Sequence, residues 1–446
     1  MTNYKFLFTT FTLLFSLLAS ANIRIYTITG EIEISTSRES FYARYEIAGF
    51  QDGERPIIIL NDELNLVEIK LNGVSVDSRI ISSQDCIQCT KYQIGRASLS
   101  KDDVVEIVVE LKKKNTSEIY DNKKAMAFNN NIFRASEDSN WFPRVLAKEG
   151  FDHYYNYDLK ISDDSDSNIY IDGNSPYASP AHFISDKPQK PVLLISGSFS
   201  YYLLEDYLVL NLEENQKDKL FQKTQDIRGY YSNLLEIDRD EKFSFLFLAS
   251  DNPNWSGFVS GQSIVFLTRK DFNSTLAHEL AHYYVPHNMS STSNFYWLIL
   301  ESIPEYLTLK YSLDDHNSDH IKGRFRALSR TTQRKGALNK LFKSRKETEF
   351  VRLDKVRKRS DISPHSRYNV IPFQLMAIEN LIGEAKMINF IRIISSRGYG
   401  DGYSSFLSAL KESGVSSTEV QTIENKIIKK FDLAEYNFIA EDLPLR

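Results

Sequence analysis

In TLAHELAHYYVPH, residues 275–287, His278 and His282 stand four positions apart, and Glu279 directly follows the first histidine. On a helix, positions i and i+4 project from one face. Both imidazoles can then reach a single tetrahedral metal ion as nitrogen ligands. Glu279 is offset by one residue. It falls beside such an ion, where it can take a proton from water that the ion has acidified. Asn273 or Ser274 is placed to cap the start of this helix, and Pro286 to limit its end.

A catalytic zinc site takes three protein ligands and keeps a fourth position open. One way to supply the third ligand is Gly at 285 with His at 288, but the chain has Val285 and Asn288, and His287 is one position out of step. The other way fits. Eighteen residues separate His282 from Glu301, which lies in FYWLILESIPEYLTLKY, a helical and amphipathic run. A second helix packed on the first would deliver that carboxylate, completing a His, His, Glu set for one Zn²⁺ per chain. Glu305, one turn further on, is the competing ligand, and is expected at the surface or behind the ligands.

These residues need a scaffold. The chain has 446 residues, enough for two or three domains. A net charge of −5 gives no global attraction to nucleic acid or to an anionic membrane. MTNYK followed by FLFTTFTLLFSLLA and Ala19-Ser20-Ala21 reads as a cleaved signal peptide over residues 1–21. The expected protein is therefore exported, to a periplasm or outside the cell, with no stable membrane anchor. The only cysteines, Cys86 and Cys89, suit a small structural disulfide in that setting.

From Asn22 to about Asn174, segments such as SFYARYEIAGF and DVVEIVVEL alternate apolar and polar residues, with turn signals between them, as a β-sandwich does. The acidic loop in ISDDSDSNIY reads as a solvated turn, because it lacks EF-hand spacing. Residues 174–191, rich in Pro and Ser, read as a linker. A mixed region follows: the strand PVLLISGS, a helix over Asn215 to Leu235, and the strands FSFLFLAS and SIVFLT. After Asp271 the pattern is mostly helical. The basic stretch 321–359 reads as a solvated helix face in preference to a nucleic-acid patch.

HELAH, eighteen residues and then Glu resembles the zinc motif of gluzincin metallopeptidases such as the aminopeptidase N family. WLILESIPEYL stands where that family has W-L-N-E-G-F-A-x-Y. Trp141-Phe142-Pro143 looks like its F-P-C-F-D-E-P segment. YNVIPFQLMAIENLIGE resembles its Y-E-K-G…L-E…I-G segment, with Tyr368, Glu379 and Gly383 in step. The resemblance implies an α+β multidomain fold: an N-terminal β-sandwich, then a thermolysin-like catalytic domain with a mostly helical C-terminal part. The bounds expected are 22–180 for the sandwich, 181–320 for the β lobe with the zinc helices, and 321–446 for the helical part. It also implies a peptide substrate, and a role for Tyr368 in holding the oxyanion. The SIVFLT strand is expected to pair with extended substrate as an exposed edge.

Two departures from the family pattern stand out. Aligned on Gly257, Ser260 falls where the family places the Glu that binds a substrate's free amine, and a neutral hydroxyl offers no ion pair. With the sequence running to Arg446, the large C-terminal helical domain of many members is also expected to be missing or cut down. The glycyl aminopeptidases share the zinc pattern but carry a PDZ domain, whereas residues 384–446 read as helices. The expected activity is thus a zinc peptidase, as an exopeptidase or an endopeptidase. The alternative is an exported binding or assembly protein that keeps a structural zinc.

Overall fold

The computed structural model describes residues 23–81, 89–95, 98–111, 126–136, 139–146, 152–164, 167–185, 187–239, 242–248, 256–267, 272–285, 294–314, 351–396 and 402–431. The expected signal peptide, Cys86, His287 and the basic residues 321–350 lie outside them. Cys89 is disulfide-bonded.

The fold is α+β, with a strand-rich N-terminal region followed by a helical C-terminal part. Two compact units are distinguished, Met1–Glu214 with Lys242–Arg269, and Asn215–Glu241 with Lys270–Arg446.

The first unit is built from sheets. Ser40–Ala48 shows why: Phe41, Ala43, Tyr45 and Ile47 are buried while their neighbours face solvent, the period-two pattern of a half-buried strand. A seven-stranded sheet runs in the order Ala181–Ile184, Asp152–Asp163, Ile23–Ser35, Ser40–Ala48, Val105–Leu111, Leu64–Leu71, Val74–Ser75. Its core is shared with Ile58 and Leu60 of a four-stranded sheet and with Phe133 and Leu194 of a five-stranded one. Trp141 is fully buried there; its indole N–H donates to the Val192 carbonyl at 3.0 Å, and its own carbonyl accepts from the Tyr45 hydroxyl at 3.1 Å.

Two expectations change here. Residues 174–191 are not a linker: Tyr177–Ala178 pairs with Asn168–Ile171, and Ala181–Ile184 pairs with Asp152–Asp163. Pro180 sits between these two strands, where its missing N–H costs no ladder bond. PVLLISGS forms its strand at Leu194–Gly197, but that strand pairs with Ile132–Ala135 and Asn168–Ile171 in the N-terminal sheets. The acidic loop after Asp152–Asp163 is held by hydroxyls. Asp163 accepts from Thr36 at 3.2 Å and Ser196 at 2.7 Å, and Asp164 accepts from Ser35 and Ser37.

A second five-stranded sheet in this unit has the order Tyr201–Leu204, Tyr207–Leu210, Ser244–Phe247, Ser263–Phe266, Gly257–Ser260. Ser263–Phe266 is paired on both sides, parallel to Ser244–Phe247 and antiparallel to Gly257–Ser260. The strand expected at the edge is therefore interior, and among the described residues the outer strand on that side of the sheet is GFVS. SIVF is buried along its length, as a strand covered on both faces must be.

The second unit is helical: α1 (Lys217–Leu235), α2 (Phe272–Tyr284), α3 (Ile303–Asp314), α4 (Pro364–Asn369), α5 (Ile371–Ile382), α6 (Glu384–Ser396), α7 (Tyr403–Glu412) and α8 (Ser417–Ile423). A π-helical turn, Leu298–Ser302, leads directly into α3. Among the described residues, no helix is long and apolar enough to cross a membrane.

Candidate metal centre

Helix α2 carries HELAH, as the spacing requires. It begins at Phe272, so Asn273 and Ser274 lie in its first turn and neither precedes it as a cap. Leu276, Ala277, Leu280, Ala281 and Tyr284 are buried, which fixes the helix on more than one side. Helix α1 anchors it through polar contacts. The Tyr231 hydroxyl donates to the Ala277 carbonyl at 3.1 Å, and the Tyr284 hydroxyl donates to the Arg228 carbonyl at 3.2 Å.

FYWLILESIPEYLTLKY is helical but not amphipathic. Every residue from Ile303 to Leu309 is buried. The polar members are satisfied inside. Thr308 donates to the Pro304 carbonyl at 2.9 Å, and Tyr306 donates to Glu379 of α5 at 2.8 Å. Glu379 also pairs with Lys310 at 2.6 Å, so α3 and α5 are joined by a largely buried ion pair. Gly383 closes α5 with φ at +84°, a left-handed conformation that costs glycine nothing.

His278, His282 and Glu301 come together. One donor atom from each lies within 4.8 Å of the other two. Glu301 Oε2 is 3.4 Å from His278 Nε2 and 3.9 Å from His282 Nε2. A tetrahedral zinc with ligand bonds of about 2.0–2.1 Å sets its ligand atoms about 3.3 Å apart. The donor set, two imidazole nitrogens and a carboxylate oxygen in a buried cluster, therefore fits such an ion in kind and in spacing. Glu301 rides on the π-helical turn, a wider turn often found at functional sites.

Glu279 is buried beside this set, its Oε2 3.7 Å from His282 Nε2. Glu305 is fully buried, not at the surface, and stands behind the cluster with Oε2 3.0 Å from His278 Nδ1. A carboxylate in that place fixes which imidazole nitrogen carries the proton, leaving Nε2 for the ion. Burial acts to lower the His278 pKa. The hydrogen bonds to Glu301 and Glu305 overcome that and push it up to about 10. Three carboxylates around two imidazoles thus hold a proton tightly and favour a cation.

Tyr368 arrives from α4, whose start is capped by Ser363 accepting from the Ser366 N–H at 3.2 Å. Its hydroxyl donates to Glu301 Oε2 at 2.8 Å, and its ring lies 5.7 Å from that of His278. Burial, then the Glu301 charge, raise its pKa well above the usual phenol value, so it remains a donor. Next to it, the Arg367 guanidinium lies 3.6 Å over the Trp297 ring, a stack that no local spacing announces. Ser260 lies in the other unit, fully buried at the end of its strand opposite Ser263.

No protein-family pattern matches the chain, and no curated protein does. Solved structures do share the fold. Leukotriene A4 hydrolase from Saccharomyces cerevisiae superposes with a TM-score of 0.60 at 15% identity, over 90% of this chain. The match spans 66% of the yeast enzyme's chain. An M1 zinc metallopeptidase from Deinococcus radiodurans superposes with a TM-score of 0.55 at 11% identity, over 92% of this chain and 94% of its own. At such identities the likeness establishes a common fold.

Proposed function

We propose that this protein is a zinc-dependent peptidase that hydrolyses peptide bonds. The observation that carries the reading is the convergence of His278, His282, Glu279, Glu301 and Tyr368 in one buried cluster from three separate segments. His278, His282 and Glu301 would hold one Zn²⁺. When bound, the ion supplies Lewis acidity, polarising a carbonyl and acidifying water.

The chain's own residues do the rest. Glu279 accepts a proton from the attacking water and passes it to the leaving amine. A carboxylate suits both steps because the same oxygen can accept and then return the proton. Tyr368 keeps its proton and donates to the substrate carbonyl oxygen as negative charge develops there. Glu305 orients His278. Buried surroundings strengthen each of these interactions relative to water.

The reading extends to an exported protein, with residues 1–21 removed as a signal peptide, acting on peptides or proteins in a periplasm or outside the cell. Under it, the sandwich runs past the expected bound of 180 to take in Ala181–Ile184 and Leu194–Gly197, the later strands and the zinc helices up to 320 form the catalytic β lobe and site, and 321–446 complete the catalytic domain. Ser260, where an aminopeptidase of this resemblance has a Glu, favours a substrate without a recognised free amine.

A library of unblocked and N-blocked peptides, incubated with and without chelator, tests the proposal. Chelator-sensitive cleavage supports it. Preference for the blocked set identifies an endopeptidase. Failure to cleave either set, at full zinc occupancy, would leave the exported binding or assembly protein with a structural zinc as the better reading.

A further inference from the structure

Trp297 immediately precedes the π-helical turn and stands four residues before Glu301. Arg367 immediately precedes Tyr368 on α4. The stacked pair, Arg367 on Trp297, therefore flanks the hydrogen-bonded pair, Tyr368 on Glu301, at a separation of roughly one helical turn, ~5 Å. We infer that the Arg367 guanidinium is a receptor for a substrate carboxylate placed within about one residue of the bond that is cut. This rests on the peptidase reading.

The guanidinium is positioned but not neutralised. Its flat face is covered by the Trp297 ring, and its Nε donates to the Ile362 carbonyl at 3.3 Å. Among the described residues it makes no ion pair. Its Nη groups are thus available for a second acceptor. Pinned by stacking and by one hydrogen bond, a guanidinium loses little further freedom on meeting a carboxylate, and its fork matches the two oxygens.

A second cation strengthens the case. Arg359 lies 4.0 Å over the Tyr296 ring and 4.9 Å over Trp297, so two guanidiniums share one aromatic platform. Burial first, and the Arg359 charge as well, weaken the hold of Arg367 on its proton. Like charges side by side in a half-buried place favour an anion between or beside them. Glu301 offsets part of this charge. Once Glu301 is committed to a metal ion, that offset falls. A stack that served only to join α4 to the π-helical turn would need one cation, and an apolar residue would do as well.

Two sources of the carboxylate are open, an Asp or Glu side chain and a free C-terminus, and the test separates them. Matched peptides are compared with the zinc-loaded full-length protein: Glu against Gln on each side of the cut bond, and free acid against amide at the C-terminus. The wild type is expected to favour the carboxylate member of one pair by about 10- to 100-fold in kcat/KM. Arg367→Gln should bring that ratio near one, and Arg367→Lys should restore part of it. A wild-type ratio near one in every pair overturns the inference, as does a ratio that survives in Arg367→Gln. If no peptide is cut, the peptidase reading falls by itself. The same pairs are then titrated by calorimetry into the wild type and Arg367→Gln. Tighter binding of the carboxylate member, lost in the variant, keeps the inference; equal binding overturns it.

Discussion

Tyr368 donates its hydroxyl hydrogen to Glu301 across 67 positions of sequence, at 2.8 Å, onto the same oxygen that faces His278 and His282. One carboxylate oxygen is thus the meeting point of the histidine helix, the π-helical turn and the short helix α4. A change at any of the three should be felt at the candidate metal centre, and in different ways.

Glu279→Gln separates metal binding from proton transfer. The amide is isosteric and leaves the three ligands in place, but it cannot accept a proton from water. Turnover should fall by about 10²- to 10⁴-fold while zinc content is retained. Elemental analysis beside a steady-state assay decides it, and unchanged turnover would remove Glu279 from the reaction.

Tyr368→Phe removes one donor without opening a cavity. If the hydroxyl acts on developing negative charge, kcat should drop by about 10²- to 10³-fold with KM little altered. A change in KM alone would assign Tyr368 to binding.

Glu305→Ala tests the carboxylate behind His278. It removes the acceptor that holds Nδ1–H at 3.0 Å. Zinc affinity should weaken by about 10- to 100-fold, as read by competition with a chromophoric chelator. Glu301→Ala should lower zinc content further, since it removes a ligand. Full occupancy in Glu301→Ala would make Glu305 or another group the ligand.

In the C-terminal helices, Ser416 and Glu419 form a capping box at α8, and Lys386 pairs with Glu419 at 2.8 Å. The Lys386 ammonium and the Ser416 N–H hold Glu419 down at about 2. Its pKa is lower folded than unfolded, so its contribution is present above about 4.5 and is lost as pH falls toward 2. Glu419→Gln should therefore lower the melting temperature at pH 7 and make little difference near pH 2. Ser416→Ala should cost about 1 kcal/mol at neutral pH. Thermal melts across this range check both.

The sequence determined the parts that depend on local period. Alternation in SFYARYEIA is the alternation of its buried side chains. The four-residue step from His278 to His282 required a helix, and α2 is one. Eighteen residues of spacing pointed to Glu301, and Glu301 lies with the two histidines. These features follow from short-range geometry, 3.6 residues per turn or two per pleat, which the chain carries in its own order.

Only the tertiary structure decided which strand is the sheet edge, which carboxylate is buried behind a histidine, and which arginine lies on which tryptophan. SIVFLT reads the same whether one neighbour or two will pair with it, and Gly257–Ser260 takes the outer place by folding back onto it. Glu305 and Glu301 are one turn apart and chemically alike. The π-helical turn and the packing of α3 send one toward His278 Nε2 and the other toward Nδ1. The contact of Arg367 with Trp297 joins residues 70 positions apart, and no local period encodes a partner at that distance. Pairing between remote segments is fixed by burial and shape over the whole chain, so it is written in the fold and not in any one stretch of sequence.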